Sequence, residues 1–246
     1  MNMWDSVSIK KVKLKNRIVR SATNEHLGTL EGEITKDYIQ VYESLAKSGI
    51  GLLITSHMAV DRTQRADITH ICVNQEVNRE KLNDLTTKVH QHGAKIIVQL
   101  SSGGYRAKNV AGQEAKSPSD MDGSKAMTEE EIRKCVGNYV KAVKTVKQTG
   151  FDGVQIHLAH GYLLSEFLDP FYNKRQDEYG GSVQNRYRIV HEIILAIQEL
   201  ISDDFLITVK IDTIDKEENE TFLQDQIQVC KWLERDGVDA IEISRK

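Results

Sequence analysis

Lys147-Gln-Thr-Gly-Phe-Asp-Gly-Val-Gln-Ile-His157 passes from the polar end of a helix, through a glycine, into a short apolar strand. The same grammar recurs in Ala46-Lys-Ser-Gly-Ile-Gly-Leu-Leu-Ile-Thr55, in His90-Gln-His-Gly-Ala-Lys-Ile-Ile-Val-Gln99 and in Glu234-Arg-Asp-Gly-Val-Asp-Ala-Ile-Glu-Ile-Ser244. A glycine just past a helix tolerates the left-handed conformation that closes its last turn. The strands that follow are mostly apolar, as parallel strands buried on both faces are. Working outward, residues 17–21 and 205–211 complete a set of six predicted strands, the others being 52–55, 95–100, 153–157 and 240–244. Helices are predicted near 36–48, 78–92, 128–149, 185–201 and 220–235. Thr35 and Asn78 read as N-caps, and Thr128 with Glu131 forms a capping box.

Strict β-α alternation implies right-handed crossovers and a parallel sheet, an α/β fold. An open doubly wound sheet and a closed TIM (β/α)8 barrel both satisfy it. No composition break divides the chain, so 1–246 reads as a single domain. A short hairpin near residues 7–14 precedes the first strand and is expected to plug the barrel floor.

Composition narrows the function classes. Lys and Arg number 33 against 36 Asp and Glu, and the net charge of −3 offers no handle for nucleic acid or anionic membrane. No apolar run approaches the ~18 residues of a membrane span, and no secretory signal is visible at the start, so a cytoplasmic location is expected. Cys72, Cys135 and Cys230 form no C-x-x-C pair and read as reduced thiols, with Cys135 and Cys230 buried in helices. Gly49-Ile-Gly51 fails the dinucleotide fingerprint at its third glycine, and no phosphate-binding P-loop motif exists.

In either architecture the chemistry belongs at the carboxyl ends of the strands. Polar residues gather there: Ser21-Ala22-Thr23-Asn24, Thr55-Ser56-His57, Gln99, His157 with His160 and Tyr162, Lys210 with Asp212, and Ser244. Two imidazoles three residues apart at a strand end can converge on one oxygen, stabilising charge that grows there. Tyr162 adds a hydroxyl able to deliver a proton across a polarised double bond. The bland alternative is a core histidine followed by a His-Gly turn that starts a helix. A zinc site at His157 and His160, which would make the chain a metal-dependent barrel hydrolase or lyase, would need a third ligand, for which Asp212 is the carboxylate at hand. Asp61, Arg62, Arg65 and Asp67 read as a solvated rim, and the polar loop 173–186 as a cross-braced structural loop.

The segment His157-Leu-Ala-His-Gly-Tyr-Leu-Leu-Ser-Glu-Phe-Leu-Asp-Pro170, with Asn173-x-Arg-x-Asp-x-Tyr-Gly-Gly-Ser182 and Asn185-Arg186, closely resembles the old yellow enzyme family. Leu14-Lys-Asn-Arg-Ile-Val19 and Val98-Gln-Leu100 add to the likeness, which covers the whole chain. It implies a TIM barrel binding FMN and oxidising NADH or NADPH, with hydride passing from reduced flavin to an activated double bond of a small-molecule acceptor. It places Ser21, Ala22 and Thr23 beside the flavin ring, Gln99 at its pyrimidine edge and Lys210 near its N1–C2=O locus, where a cation stabilises the reduced form. It assigns His157 and His160 to the acceptor's oxygen, with His157 also near the flavin, and Tyr162 to proton donation. No metal is implied, and a homo-oligomer is compatible with the pattern.

The sequence departs from the family pattern at several points. Asn24 stands where many members carry threonine or cysteine, and His26 where some place a substrate-contacting tyrosine. Ser101-Ser-Gly-Gly-Tyr-Arg106 follows Gln99 in place of a histidine and Gly-Arg, and Lys210 replaces a commoner arginine, whose forked donors lysine lacks. The length of 246 suits a complete barrel of ~250 residues, yet only about six of eight β-α units are countable. Strands seven and eight, which ordinarily cradle the flavin phosphate, are expected to be missing. The expectation is a truncated chain that binds FMN weakly or not at all, with a catalytically incompetent fragment as the alternative reading.

Overall fold

The computed structural model describes residues 2–110, 112–213 and 219–245. Its main sheet has six parallel strands in the order β3-β4-β5-β8-β9-β10. These are β3 (Val19–Arg20), β4 (Leu52–Ala59), β5 (Lys95–Ser101), β8 (Gly153–Leu158), β9 (Leu206–Thr213) and β10 (Ala240–Arg245). The crossover helices are α1 (Lys36–Lys47), α2 (Asn78–Gln91), α3 (Glu129–Gln148), α5 (Val183–Gln198) and α6 (Glu220–Arg235). Each strand end thus lies beside the next, as in a TIM barrel, and the sheet curls far enough for its two outer strands to meet through side chains. Ser21 Oγ, one residue past β3, donates to Glu242 Oε1 of β10 at 2.5 Å.

The repeated grammar has its physical cause in backbone geometry. The four glycines that close the helices before the strands, Gly49, Gly93, Gly150 and Gly237, all adopt positive φ, between 66° and 96°. A side chain there would strain the left-handed turn. Thr35 caps α1 by accepting from Tyr38 N, and Thr128 and Glu131 form the reciprocal capping box of α3. The strands β4 and β8 are buried along their whole length, as a sheet covered on both faces requires. Most buried apolar side chains join one large cluster between sheet and helices. A smaller cluster closes the opposite end: hairpin strands β1 (Val7–Ile9) and β2 (Val12–Leu14) bring Val12 and Leu14 onto Leu52, Ile54, Ile97 and Leu206. The hairpin is the floor plug expected of residues 7–14.

Several expectations are corrected. Strand one shrinks from 17–21 to β3, because Arg17 N–H donates to the Met3 carbonyl and Ile18 N–H to Asn16 Oδ1, and Ser21 lies beyond the strand. Strand two extends from 52–55 to Ala59, and a register shift between Ile54 and His57 places Thr55, Ser56 and His57 inside it. Asn78 does not cap α2. Fully buried inside the first turn, it accepts from Ile34 N and donates to the carbonyls of Gly32 and Cys72, tying two loops together. Cys230 is only half-buried, whereas Cys72 and Cys135 are buried. The loop read as a solvated rim carries a buried Arg65, which donates to the carbonyls of Leu30 and Ile68. Three short elements escape periodicity altogether, the paired strands β6 (Ala115–Ser117) and β7 (Ser124–Ala126) and the helix α4 (Leu163–Leu168).

Candidate functional site

The strand ends converge on one cleft lined by Ala22, Thr23, Asn24, His57, Gln99, His157, His160, Tyr162 and Lys210. The fold therefore brings together every predicted site residue except Ser21, which sits just behind Lys210, its Oγ accepting from Nζ at 3.3 Å. His157 and Lys210 are register partners on β8 and β9, so the ladder fixes their spacing. Gln99, one strand over on β5, pairs with Gln155 and donates Nε2 to its side-chain oxygen at 2.7 Å.

The turn after β8 is held in an unusual conformation. His160 has φ of 64°, a left-handed value uncommon for a side chain other than glycine. Its N–H donates to Asp212 Oδ2 at 2.7 Å, and Arg106 Nε donates to the His160 carbonyl at 3.0 Å. Those two contacts lock the turn, and the His160 ring stands edge-on to His157 with centroids 5.2 Å apart. Its Nε2 pairs with Ser244 Oγ at 2.7 Å. Gly161 also adopts positive φ, and Tyr162 then swings back so that its ring lies 4.8 Å from that of His157. The Arg106 guanidinium lies over the Tyr162 ring, 5.3 Å from its centroid.

Burial sets the charge states. Desolvation holds His157 well below the ordinary imidazole range, and His57, His160, Lys210 and Arg106 push in the same direction. His160 is also lowered, first by burial and then by Lys210 and Arg106. Both rings are therefore neutral near pH 7 and offer N–H donors without a formal charge. Burial raises the Tyr162 hydroxyl, partly offset by Arg106, so it keeps its proton.

Sequence reasoning missed several neighbours. Glu242 of β10 sits 3.0 Å from Lys210 Nζ and accepts from Gln155 Nε2 at 3.0 Å. Burial pushes its carboxyl up, but bonds from Ser21, Gln155 and Lys210 outweigh that and leave it below its ordinary value. Its signal was the polar residue inside an otherwise apolar Ala-Ile-Glu-Ile strand. Glu166 of α4, fully buried, accepts from Tyr105 N at 2.8 Å and so positions the loop that carries Arg106. Among the described residues no group of three or more His, Cys, Asp or Glu side chains comes together as an ion site. Asp212, the third ligand of the zinc alternative, instead serves the His160 backbone.

Donors from several strand ends are thus gathered around one cleft at the sheet's carboxyl end. Solved structures agree on the fold. An old yellow enzyme from Pichia sp. AKU4542 superposes with a TM-score of 0.91 at 26% identity, covering 98% of this chain and 70% of that one. A 2-naphthoyl-CoA reductase gives 0.92 at 25%, covering 99% of this chain and 40% of its own. Among sequences, an NADPH dehydrogenase of Halalkalibacterium halodurans is 35% identical over 246 residues, spanning 98% of this chain and 72% of the relative. One from Listeria monocytogenes is 34% identical over 249 residues. Residues 2–246 match the NADH:flavin oxidoreductase / NADH oxidase family, and the chain belongs to it. Its chemistry is accordingly that of an NAD(P)H-dependent flavin oxidoreductase with FMN as cofactor.

The site's donor set fits that cofactor. Two residues that line the cleft each carry a buried ring nitrogen without a hydrogen-bond partner, His157 Nδ1 and His57 Nε2. A buried polar atom without a partner is costly, and a ring system edged with nitrogens and carbonyls would satisfy both. Among the described residues no helix is long and apolar enough to cross a membrane.

Proposed function

We propose that the chain reduces an activated carbon–carbon double bond, such as that of an α,β-unsaturated carbonyl. FMN, when bound, would accept hydride from NADH or NADPH and supply it to the acceptor. The observation carrying this reading is the meeting of His157, His160 and Tyr162 on one cleft with Gln99 and Lys210.

In this proposal Ser21, Ala22, Thr23, Gln99, His157 and Lys210 hold the cofactor's ring. His157 and His160 bind the acceptor's oxygen as neutral donors, drawing electron density from the double bond. Tyr162 holds its proton at the hydroxyl and gives it to the α-carbon. Arg106, stacked on Tyr162, eases the charge left behind on the phenolate. Lys210 supplies a fixed positive charge that Glu242 tempers, so the local field is weaker than a lone cation would give. The acceptor is a small molecule, residues 1–246 act as a single domain, and the net charge of −3 speaks against a nucleic-acid partner. A cytoplasmic location is supported by three free cysteines, and association of copies of the chain is compatible with the reading.

Stopped-flow kinetics of Tyr162→Phe test it. With FMN supplied in excess, NADPH is expected to bleach the flavin of the variant at the unmodified rate. Reoxidation by 2-cyclohexen-1-one should slow by ~10²-fold, the scale of a lost general acid. Equal loss in both half-reactions would count against the assignment.

A further inference from the structure

His57 is buried, lines the cleft, and was given no role by any motif. Its ring is wedged between His70, 4.0 Å away by centroids, and Tyr162, 4.9 Å away. The hydrogen bonds behind it have a direction that can be read outward from the backbone. Ala66 N–H donates to His70 Nδ1 at 2.9 Å, so that nitrogen carries no proton. Burial, reinforced by the charge of Arg65, holds His70 far below the ordinary imidazole range, so the ring is neutral and its proton sits on Nε2. His70 Nε2 lies 3.3 Å from Ser101 Oγ and donates to it. The Ser101 hydroxyl then has its own proton for its other partner, His57 Nδ1, at 3.0 Å. His57 itself is pushed down to about 4, chiefly by burial, and is neutral near pH 7. Where Nδ1 accepts that proton, the proton of His57 itself lies on Nε2, the buried atom that has no partner.

We propose that His57 is a third oxygen-binding imidazole of this site, its Nε2–H held as a fixed donor by the chain Ala66 N–H to His70 to Ser101. The inference rests on the proposed function for the identity of what it binds, a carbonyl-type oxygen of the acceptor or of the flavin ring. The donor state itself rests on the hydrogen bonds and on the neutrality that burial gives both rings. A neutral imidazole with a free choice of tautomer would present donor and acceptor faces in turn. This one presents a donor at every pH at which both rings are neutral, which favours oxygen and disfavours a ligand N–H at the same spot. It also makes Ser101 and His70 positioning residues, acting through His57 without touching the ligand.

Nitrogen-15 spectra of histidine-labelled protein decide the point. Across pH 6–8, His57 and His70 are both expected as the Nε2–H tautomer, and Ser101→Ala is expected to leave His70 so while His57 becomes a tautomer mixture. His57 found as the Nδ1–H tautomer or as imidazolium at pH 7 overturns the proposal. Adding FMN, then cyclohexanone, separates the sources. A shift of the His57 Nε2–H signal with FMN alone assigns a flavin oxygen, and a shift only with the ketone assigns the acceptor. A signal moved by neither, in protein visibly loaded with flavin, overturns the oxygen-binding role. Where the flavin oxygen is assigned, His57→Phe should weaken FMN binding about three- to tenfold; where the acceptor oxygen is assigned, it should weaken cyclohexanone binding by that factor. In both cases His57→Gln should restore part of the loss. A protein that binds FMN but is not bleached by NADPH sinks the proposed function alone, and the tautomer read without ligand still decides this inference.

Discussion

Two sides of the cleft are built by different means. On one, His157 and Lys210 belong to long strands in continuous ladder, with six paired positions between β8 and β9. On the other, Ser21, Ala22 and Thr23 follow a strand of two residues that pairs with β4 at only Val19 and Arg20. There the chain is held by side chains instead. Arg20 bridges Glu25 at 2.9 Å, Tyr42 donates to the same carboxylate, and Ser21 reaches across to Glu242. Backbone ladders resist the loss of any one side chain, whereas a tethered segment depends on each of its ties. The groups proposed to steer the reaction sit on or just past the rigid side, while the cofactor's ring is proposed to be held from both, by Gln99, His157 and Lys210 on the laddered strands and by Ser21, Ala22 and Thr23 on the tethered segment.

Four substitutions press on that contrast, taken from the largest expected effect. Ile156→Ala on β8 removes a fully buried side chain from the ladder side. It should lower stability by about 2–5 kcal/mol in urea unfolding, with the cleft geometry unchanged in what remains folded. Arg20→Ala should cost about 1.5–3 kcal/mol, the worth of bonds to a charged group, and should raise hydrogen exchange over residues 21–25 alone. Exchange rising equally at His157 would erase the distinction between the two sides.

The third concerns Glu166, which supports the Arg106 loop from the ladder side. Burial pushes its carboxyl up to about 8, against the Tyr105 N–H bond and the charge of Arg106, which pull it down. A folded value above the unfolded one means stability that is complete at acid pH and is lost as pH rises toward 8. Thermal unfolding of Glu166→Gln, which keeps an acceptor for Tyr105, should therefore fall less between pH 5 and pH 8.5 than that of the unmodified protein. Parallel curves would show that the carboxylate finds its charge compensated. The smallest effect is expected for Ser21→Ala, about 0.5–1.5 kcal/mol for one neutral-to-charged tie partly open to water. Its loss should show first as weaker retention of FMN.

The alternation of strands and helices was legible because its signals are local. A glycine at a helix end, a cap, and a run of apolar residues each lie within a few positions. The β6–β7 pair and α4 were not, being three to six residues long and too short to show a period. Asn78 misled because its residue type suits a cap while its actual partners, Gly32 and Cys72, are fixed by two loops meeting. The chemistry divided in the same way. His157, His160 and Tyr162 stand within six positions of one another and are brought together by one turn. Glu242 and Gln155 are linked across 87 positions and His57 to Ser101 across 44, so only the folded sheet discloses them.

The bond from Ser21 to Glu242 spans 221 positions of sequence. Contacts of such high order form late, because the entropy of closing the loop must be met before the contact contributes anything. The hairpin, the helices and the inner strands can condense through nearer neighbours, leaving the tethered side to dock last. Refolding followed at two places should then be biphasic: early protection at β8 and β9, and a slower phase at residues 21–25. Productive cofactor capture would follow the second phase and not the first.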